Sequence, residues 1–357
     1  MSENTDTQTQ SQTANTSRSA DVHGVNPYVF VVGCPRSGTT LLQRMLDNHP
    51  LLALANDTHF IPRVLEKTLP AALDDALSGR PVPLTPELAK AVRGYHRFSR
   101  LELSDESVKG AIDRSSTYGE LIGHLYGELA RREGKPLAGE KTPDYVRHIP
   151  LLNALCPQAR FVHIYRDGRD VALSLLQWAT ATKGPGRFKL WADEPMAVCA
   201  LWWRWLVSAG RTAGAGLGES LYIEVGYEEL VDQPSHMLTK TADFLDLPMT
   251  PDMLSYHEGK MRTDKGLSAK NAWLPPTAGL RDWRSQMPSR DVELFEALAG
   301  DKLETLGYQR SVNTISPEVN SIARECRTWW DANLARRRCR SSKTKHGANG
   351  SGKLTAD

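Results

Sequence analysis

The segment Tyr28 to Asn48, Y-V-F-V-V-G-C-P-R-S-G-T-T-L-L-Q-R-M-L-D-N, constrains the fold of this chain most. Tyr28 to Val32 is β-branched and aromatic, which predicts a buried strand. Thr40 to Asn48 sets Leu41, Leu42, Met45 and Leu46 at helical spacing, and His49-Pro50 ends that helix. Between them lies a tight loop, Gly33 to Thr40, with the length of a nucleotide phosphate-binding loop. Thr39 stands where such loops carry lysine. Backbone amides at a helix N-terminus still favour an anion. The loop therefore predicts a phosphate-bearing ligand, while the missing lysine argues against ordinary Mg-ATP or Mg-GTP chemistry.

Further strands are predicted at Leu51 to Ala55, Lys135 to Lys141, Phe161 to Tyr165 and Leu221 to Val225. Helical segments separate them, including Asp170 to Trp178 and the tryptophan-rich Met196 to Ala209, whose Trp202, Trp203 and Trp205 read as core packing. Helices and polar loops fill Pro62 to Arg132. This alternation predicts an α/β fold: a central parallel sheet with helices on both faces. Ligands of such sheets bind at the C-terminal ends of strands.

Composition narrows the class. Of 357 residues, 40% are hydrophobic and 24% charged, as in soluble globular proteins. A net charge of +2 argues against a polyanion-binding fold, so a nucleic-acid partner is not expected. The five cysteines are scattered and form no C-x-x-C pair, which excludes a zinc framework and suggests reduced thiols in a cytoplasm. Residues 1–26 lack an apolar signal core and read as a disordered polar leader, and no run is apolar enough to span a membrane. The main domain is expected over residues 27–312, a C-terminal helix over 313–335, and a basic disordered tail over 336–357.

A second polar cluster is Y-R-D-G-R-D-V-A-L-S, Tyr165 to Ser174. Arg166 ends a strand and Ser174 lies a turn into the next helix, so both can reach one anion. The first loop supplies Arg36 and the amides and hydroxyls of Ser37, Gly38, Thr39 and Thr40. Two anion sites at one sheet edge suit a nucleoside phosphorylated at both ends better than ATP.

These residues resemble sulfotransferases that use 3′-phosphoadenosine 5′-phosphosulfate. P-R-S-G-T-T is similar to that family's 5′-phosphosulfate loop, and R-D-G-R-D-V-A-L-S to its 3′-phosphate motif. The resemblance implies 3′-phosphate contacts by Arg166 and Ser174. V-G-Y-E-E-L-V, F-L-D-L-P and L-G-Y extend it to Tyr308. The N-terminal third is most similar to tyrosylprotein sulfotransferases, through R-S-G-T-T-L-L-Q-R-M-L-D-N-H-P and D-T-H-F-I-P-R-V-L. By that likeness Asp57 matches a catalytic glutamate, His59 an arginine, Lys141 a transition-state lysine and Tyr227 a tyrosine beside the nucleotide. Arg281 or Arg284 is expected to close over the nucleotide, with Lys265 and Lys270 in the same basic group.

The implied reaction is in-line sulfuryl transfer to a hydroxyl, phenol or amine. Asp57 or His59 would be the base, Arg36 and Lys141 would stabilise the leaving group, and no metal would be required. The acceptor is expected to be a small molecule, a sugar or a peptide, held by residues between Arg63 and Arg132 and by the loop near Lys183 to Trp191. The oligomeric state is left open. The competing readings are a phosphate-loop nucleotide kinase and a catalytically silent nucleotide-binding scaffold.

Overall fold

A computed structural model describes residues 25–261, 273–276 and 281–347. Five strands form one parallel sheet: β1 Val29–Gly33, β2 Leu52–Asn56, β3 Leu137–Lys141, β4 Arg160–Tyr165 and β5 Tyr222–Gly226. Their order is β2-β3-β1-β4-β5, with Phe30 opposite Glu140 on one side and Phe161 on the other. Each strand lies within a residue or two of its predicted position.

Strand alternation explains the layers. Phe30, Val32, Ala53, Ala55 and Phe161 face one core; Val29, Val31, Leu52, Leu54 and Val162 face the other. The helices Tyr118–Arg132 and Pro195–Leu217 contribute to the first core. Helix α1 (Thr39–Asp47) and the helix Pro234–Phe244 cover the second. Both sheet faces are thus buried, which is why β1 is apolar along its whole length. Full burial of each such Val, Leu or Phe contributes about 1.5–3 kcal/mol.

Three boundaries differ from expectation. Asn26, assigned to the leader, is part of the fold: its Oδ1 accepts from the Ala138 amide at 2.7 Å. Residues 1–24 lie outside the described ones. The tryptophan-rich helix runs past Ala209 to Leu217. Gly210 and Gly214 are close-approach sites there, not breakers: a Cβ would come within 2.6 Å of the His163 ring and 2.3 Å of the Tyr222 ring. The last helix spans Pro317–Gly347, so residues 336–347, expected as disordered, are helical. Its start docks through Val319, Ala323, Cys326 and Trp330. The basic run beyond contains no glycine or proline before Gly347, and its arginines and lysines favour helix. Residues 348–357 lie outside the described ones.

Candidate active site

The C-terminal ends of β1, β2, β3 and β4 open into one cleft of about 1030 Å³. The first loop leaves β1 and turns into α1 at Gly38, whose φ of 93° lies in the left-handed region. A Cβ there would sit 2.3 Å from the Tyr227 ring, so glycine is required both for conformation and for space. Arg36 also has a positive φ, 83°, which a non-glycine residue adopts only when its surroundings hold it.

Arg36, Gly38, Thr39 and Thr40 line the cleft. Ser37 does not: it is buried behind the loop, and its amide donates to the Cys34 carbonyl at 3.1 Å. That amide closes the turn and is withdrawn from the expected anion contact. The Ser37 hydroxyl has no partner among the described residues.

The second cluster meets the first. Arg36 Nε donates to Ser174 Oγ at 2.7 Å. Arg166, 7% exposed, stacks over the Tyr227 ring at 4.3 Å and pairs with Asp170 at 3.2 Å, yet its Nε has no partner among the described residues. Arg281 reaches the same end and donates to Gln177 at 2.5 Å. Burial, then the charges of Arg281 and Arg166, push the Arg36 guanidinium down to about 10. Crowded cations with an unpartnered donor are the electrostatic signature of a site shaped for a polyanion. Lys265 and Lys270, placed with Arg281 from sequence, lie outside the described residues.

A third group stands at the ends of β2 and β3. Lys141 Nζ lies 3.4 Å from Asp57 Oδ1; the lysine is 3% exposed and the carboxylate 32%. Burial lowers the Lys141 ammonium below the usual lysine range, and Asp57 acts against that shift. His59 caps α2 (Phe60–Thr68), set edge-on to Tyr145. Burial pushes its imidazole down to about 4, so the ring is neutral at physiological pH.

Several lining residues escaped the sequence reading. Arg100 donates to the Asp57 carbonyl at 3.0 Å, and Arg97 lies beside it in the cleft wall. Both belong to a short stretch, Y-H-R-F-S-R, with no periodicity to mark it. Lys183 and Arg187 come from the loop assigned to the acceptor, and Arg63 and Tyr95 from the helical stretch assigned to it. Trp202, read as core packing, is buried but also lines the cleft, and its Nε1 has no partner among the described residues. Trp203 is core, its Nε1 donating to the Arg166 carbonyl at 3.2 Å. Glu140, one residue before Lys141, is a fully buried carboxylate that the sequence marked only as a strand end.

Together, fold and site define an α/β protein in which a lysine-free loop and a second arginine cluster share one basic cleft at the sheet edge. Among the described residues no group of side chains could hold a metal ion, and no helix is long and apolar enough to cross a membrane. Residues 27–251 match the model of the sulfotransferase family, and the chain belongs to that family. It is an enzyme whose sulfuryl donor is 3′-phosphoadenosine 5′-phosphosulfate, which sets aside the kinase and silent-scaffold readings. Protein-tyrosine sulfotransferase A of Caenorhabditis elegans is 26% identical over 294 residues, 81% of this chain and 69% of that protein. Protein-tyrosine sulfotransferase 1 of Homo sapiens is 25% identical over 298 residues, 82% of this chain and 72% of that protein. The sulfotransferase domain of the Synechococcus olefin synthase has the same fold, with a TM-score of 0.55 at 23% identity, over 81% of this chain and 98% of that one.

Proposed function

We propose that this enzyme transfers the sulfuryl group in line to a hydroxyl carried by an anionic acceptor, with Asp57 as general base. The donor's adenosine bisphosphate part would lie along Arg36, Thr39, Thr40, Arg166, Ser174 and Tyr227, with Arg281 over it. The acceptor oxygen forms the new bond to sulfur while the bond from sulfur to the 5′-phosphate oxygen breaks. The acceptor proton passes to Asp57, and charge growing on the 5′-phosphate is met by Lys141 and Arg36.

The contact between Asp57 and Lys141 carries this reading. One buried cation and one partly exposed carboxylate stand together in the cleft that Arg36, Arg166 and Ser174 also line. His59 faces the same cleft, but a ring whose conjugate acid titrates near 4 has no advantage over a carboxylate as a base. The acceptor is read as anionic because Arg97, Arg100, Lys183 and Arg187 line the same cleft in addition to Arg36, Arg166 and Arg281. A tyrosine flanked by acidic residues is the first case to try, given the names of the relatives. A cytoplasmic location is proposed on the free thiols of Cys34, Cys156, Cys199 and Cys326.

Two experiments test it. Asp57→Asn should lower turnover by about 10²–10⁴-fold and leave the calorimetric affinity for 3′,5′-adenosine bisphosphate within about twofold; retained turnover would move the base to His59 or elsewhere. Radiolabelled donor offered to glutamate-flanked and lysine-flanked tyrosine peptides, a neutral sugar and a simple phenol should favour the first. Equal rates for all would remove the anionic acceptor.

A further inference from the structure

We infer that Glu140 is a positioning residue that holds the Asp57 carboxylate in place through an internal anion nest; the inference rests on Asp57 being the base. Asp57 and His59 both have left-handed backbones, φ 55° and 60°, and neither is glycine. Two such residues around Thr58 persist only where something over-determines them. Glu140 does so from the neighbouring strand. Its Oε1 accepts from the Thr58 amide at 2.8 Å, the Thr58 hydroxyl at 2.6 Å and the His59 amide at 3.4 Å. The Thr142 hydroxyl donates to the same oxygen, and the Tyr126 hydroxyl donates to Oε2.

The left-handed residues turn successive amides inward, and these amides wrap a carboxylate as a nest wraps an anion. Here the anion is the protein's own. The Asp57 amide also donates to the Lys141 carbonyl at 2.8 Å, which closes β2 onto β3 just before the turn. With its amide fixed to one strand and the next two fixed to Glu140, Asp57 is left to point into the cleft beside Lys141. Glu140 and Lys141 are consecutive, so one strand end sets both the orientation of the base and its charge partner. Glu140 itself is 0% exposed and touches no substrate.

The test compares Glu140→Ala, Glu140→Gln, Thr58→Val and Asp57→Asn in the full chain. Turnover is read as labelled sulfate formed with water as acceptor, and as label carried onto the glutamate-flanked tyrosine peptide. Glu140→Ala should lower kcat at least tenfold, shift the acid limb of the kcat–pH profile, and leave the bisphosphate Kd within twofold. Glu140→Gln keeps acceptor oxygen and shape, and should restore kcat to within about threefold of the parent. Thr58→Val removes one hydroxyl from the nest and should lower kcat about threefold; it decides the matter if Glu140→Ala does not fold. The proposal is overturned if Glu140→Ala keeps parental kcat and pH profile, if bisphosphate affinity falls in step with kcat, if Glu140→Gln fails to rescue, or if Thr58→Val leaves kcat unchanged. Asp57→Asn separates the two ideas: if it alone keeps turnover, the base assignment fails; if it abolishes turnover while Glu140→Ala does not, only the nest fails.

Discussion

Arg166 is held from three sides: Asp170 pairs with its guanidinium, Tyr227 lies beneath it, and Trp203 fixes its carbonyl. Asp170 offsets one charge, but not the cluster of three that Arg166 makes with Arg36 and Arg281, which suits a ligand phosphate as the further partner. A charge-assisted contact of that kind contributes about 1.5–3 kcal/mol. Arg166→Ala should therefore weaken 3′,5′-adenosine bisphosphate by about 10–150-fold in calorimetry and leave 5′-AMP nearly untouched. An equal loss for both ligands would contradict the 3′-phosphate role. Histidines show the opposite use of burial. Burial lowers His59 to about 4 and His148 and His163 to about 3. Each is depressed below its unfolded value of about 6.5, so the stability it contributes is complete above that pH and is lost as pH falls through the folded value. Urea midpoints should decline as pH drops from about 6.5 toward 4, and His163→Asn should flatten that decline. A midpoint that stays level over this range in the parent would remove the account.

At the scale of elements, the strand–loop–helix β1–α1 works only with glycine at its corner. Gly38→Ala forces a left-handed alanine and drives a methyl into Tyr227, so bisphosphate affinity should fall more than tenfold, with a lower melting temperature. Unchanged affinity would mean that the loop is softer than its geometry implies. This corner was legible in the sequence because strand, turn and amphipathic helix each carry a local signal. So were Arg166 and Ser174, whose spacing puts both at one strand end. Arg97 and Arg100 fell only within the broad stretch assigned to the acceptor, since the place of Arg100 against Asp57 comes from tertiary packing of a segment without periodicity. Nor was the nest around Glu140 legible: a glutamate on a strand looks solvent-facing until five donors are brought to it from the turn after β2, the helix Tyr118–Arg132 and Thr142. Ser37 failed in the other direction, because a loop that must turn tightly consumes one of its own amides.

Across the whole molecule, Arg169 ties the segment Tyr165 to Ser174 to the C-terminal part of the chain. It is 1% exposed, pairs with Asp167 and Glu296 at 2.7 Å each, and stacks on Trp283 at 3.7 Å. Glu296 in turn accepts from the amides of Ser311 and Val312. Arg169→Met would leave two buried carboxylates without their cation, which costs about 3–5 kcal/mol. Denaturant unfolding should show a loss of that size; a change under 1 kcal/mol would mean that the carboxylates find other partners or water. The strand order has its own consequence in time. β1 lies at the middle of the sheet, but its two neighbours come roughly 110 and 130 residues later in the chain. During synthesis, the loop between β1 and α1 must wait until β4 has emerged to be flanked on both sides. Until β3 emerges an apolar strand, destined for burial on both faces, has no native partner on either edge, and until β4 emerges it has one on a single edge. Refolding from denaturant should accordingly be slow, and its yield should fall as protein concentration rises.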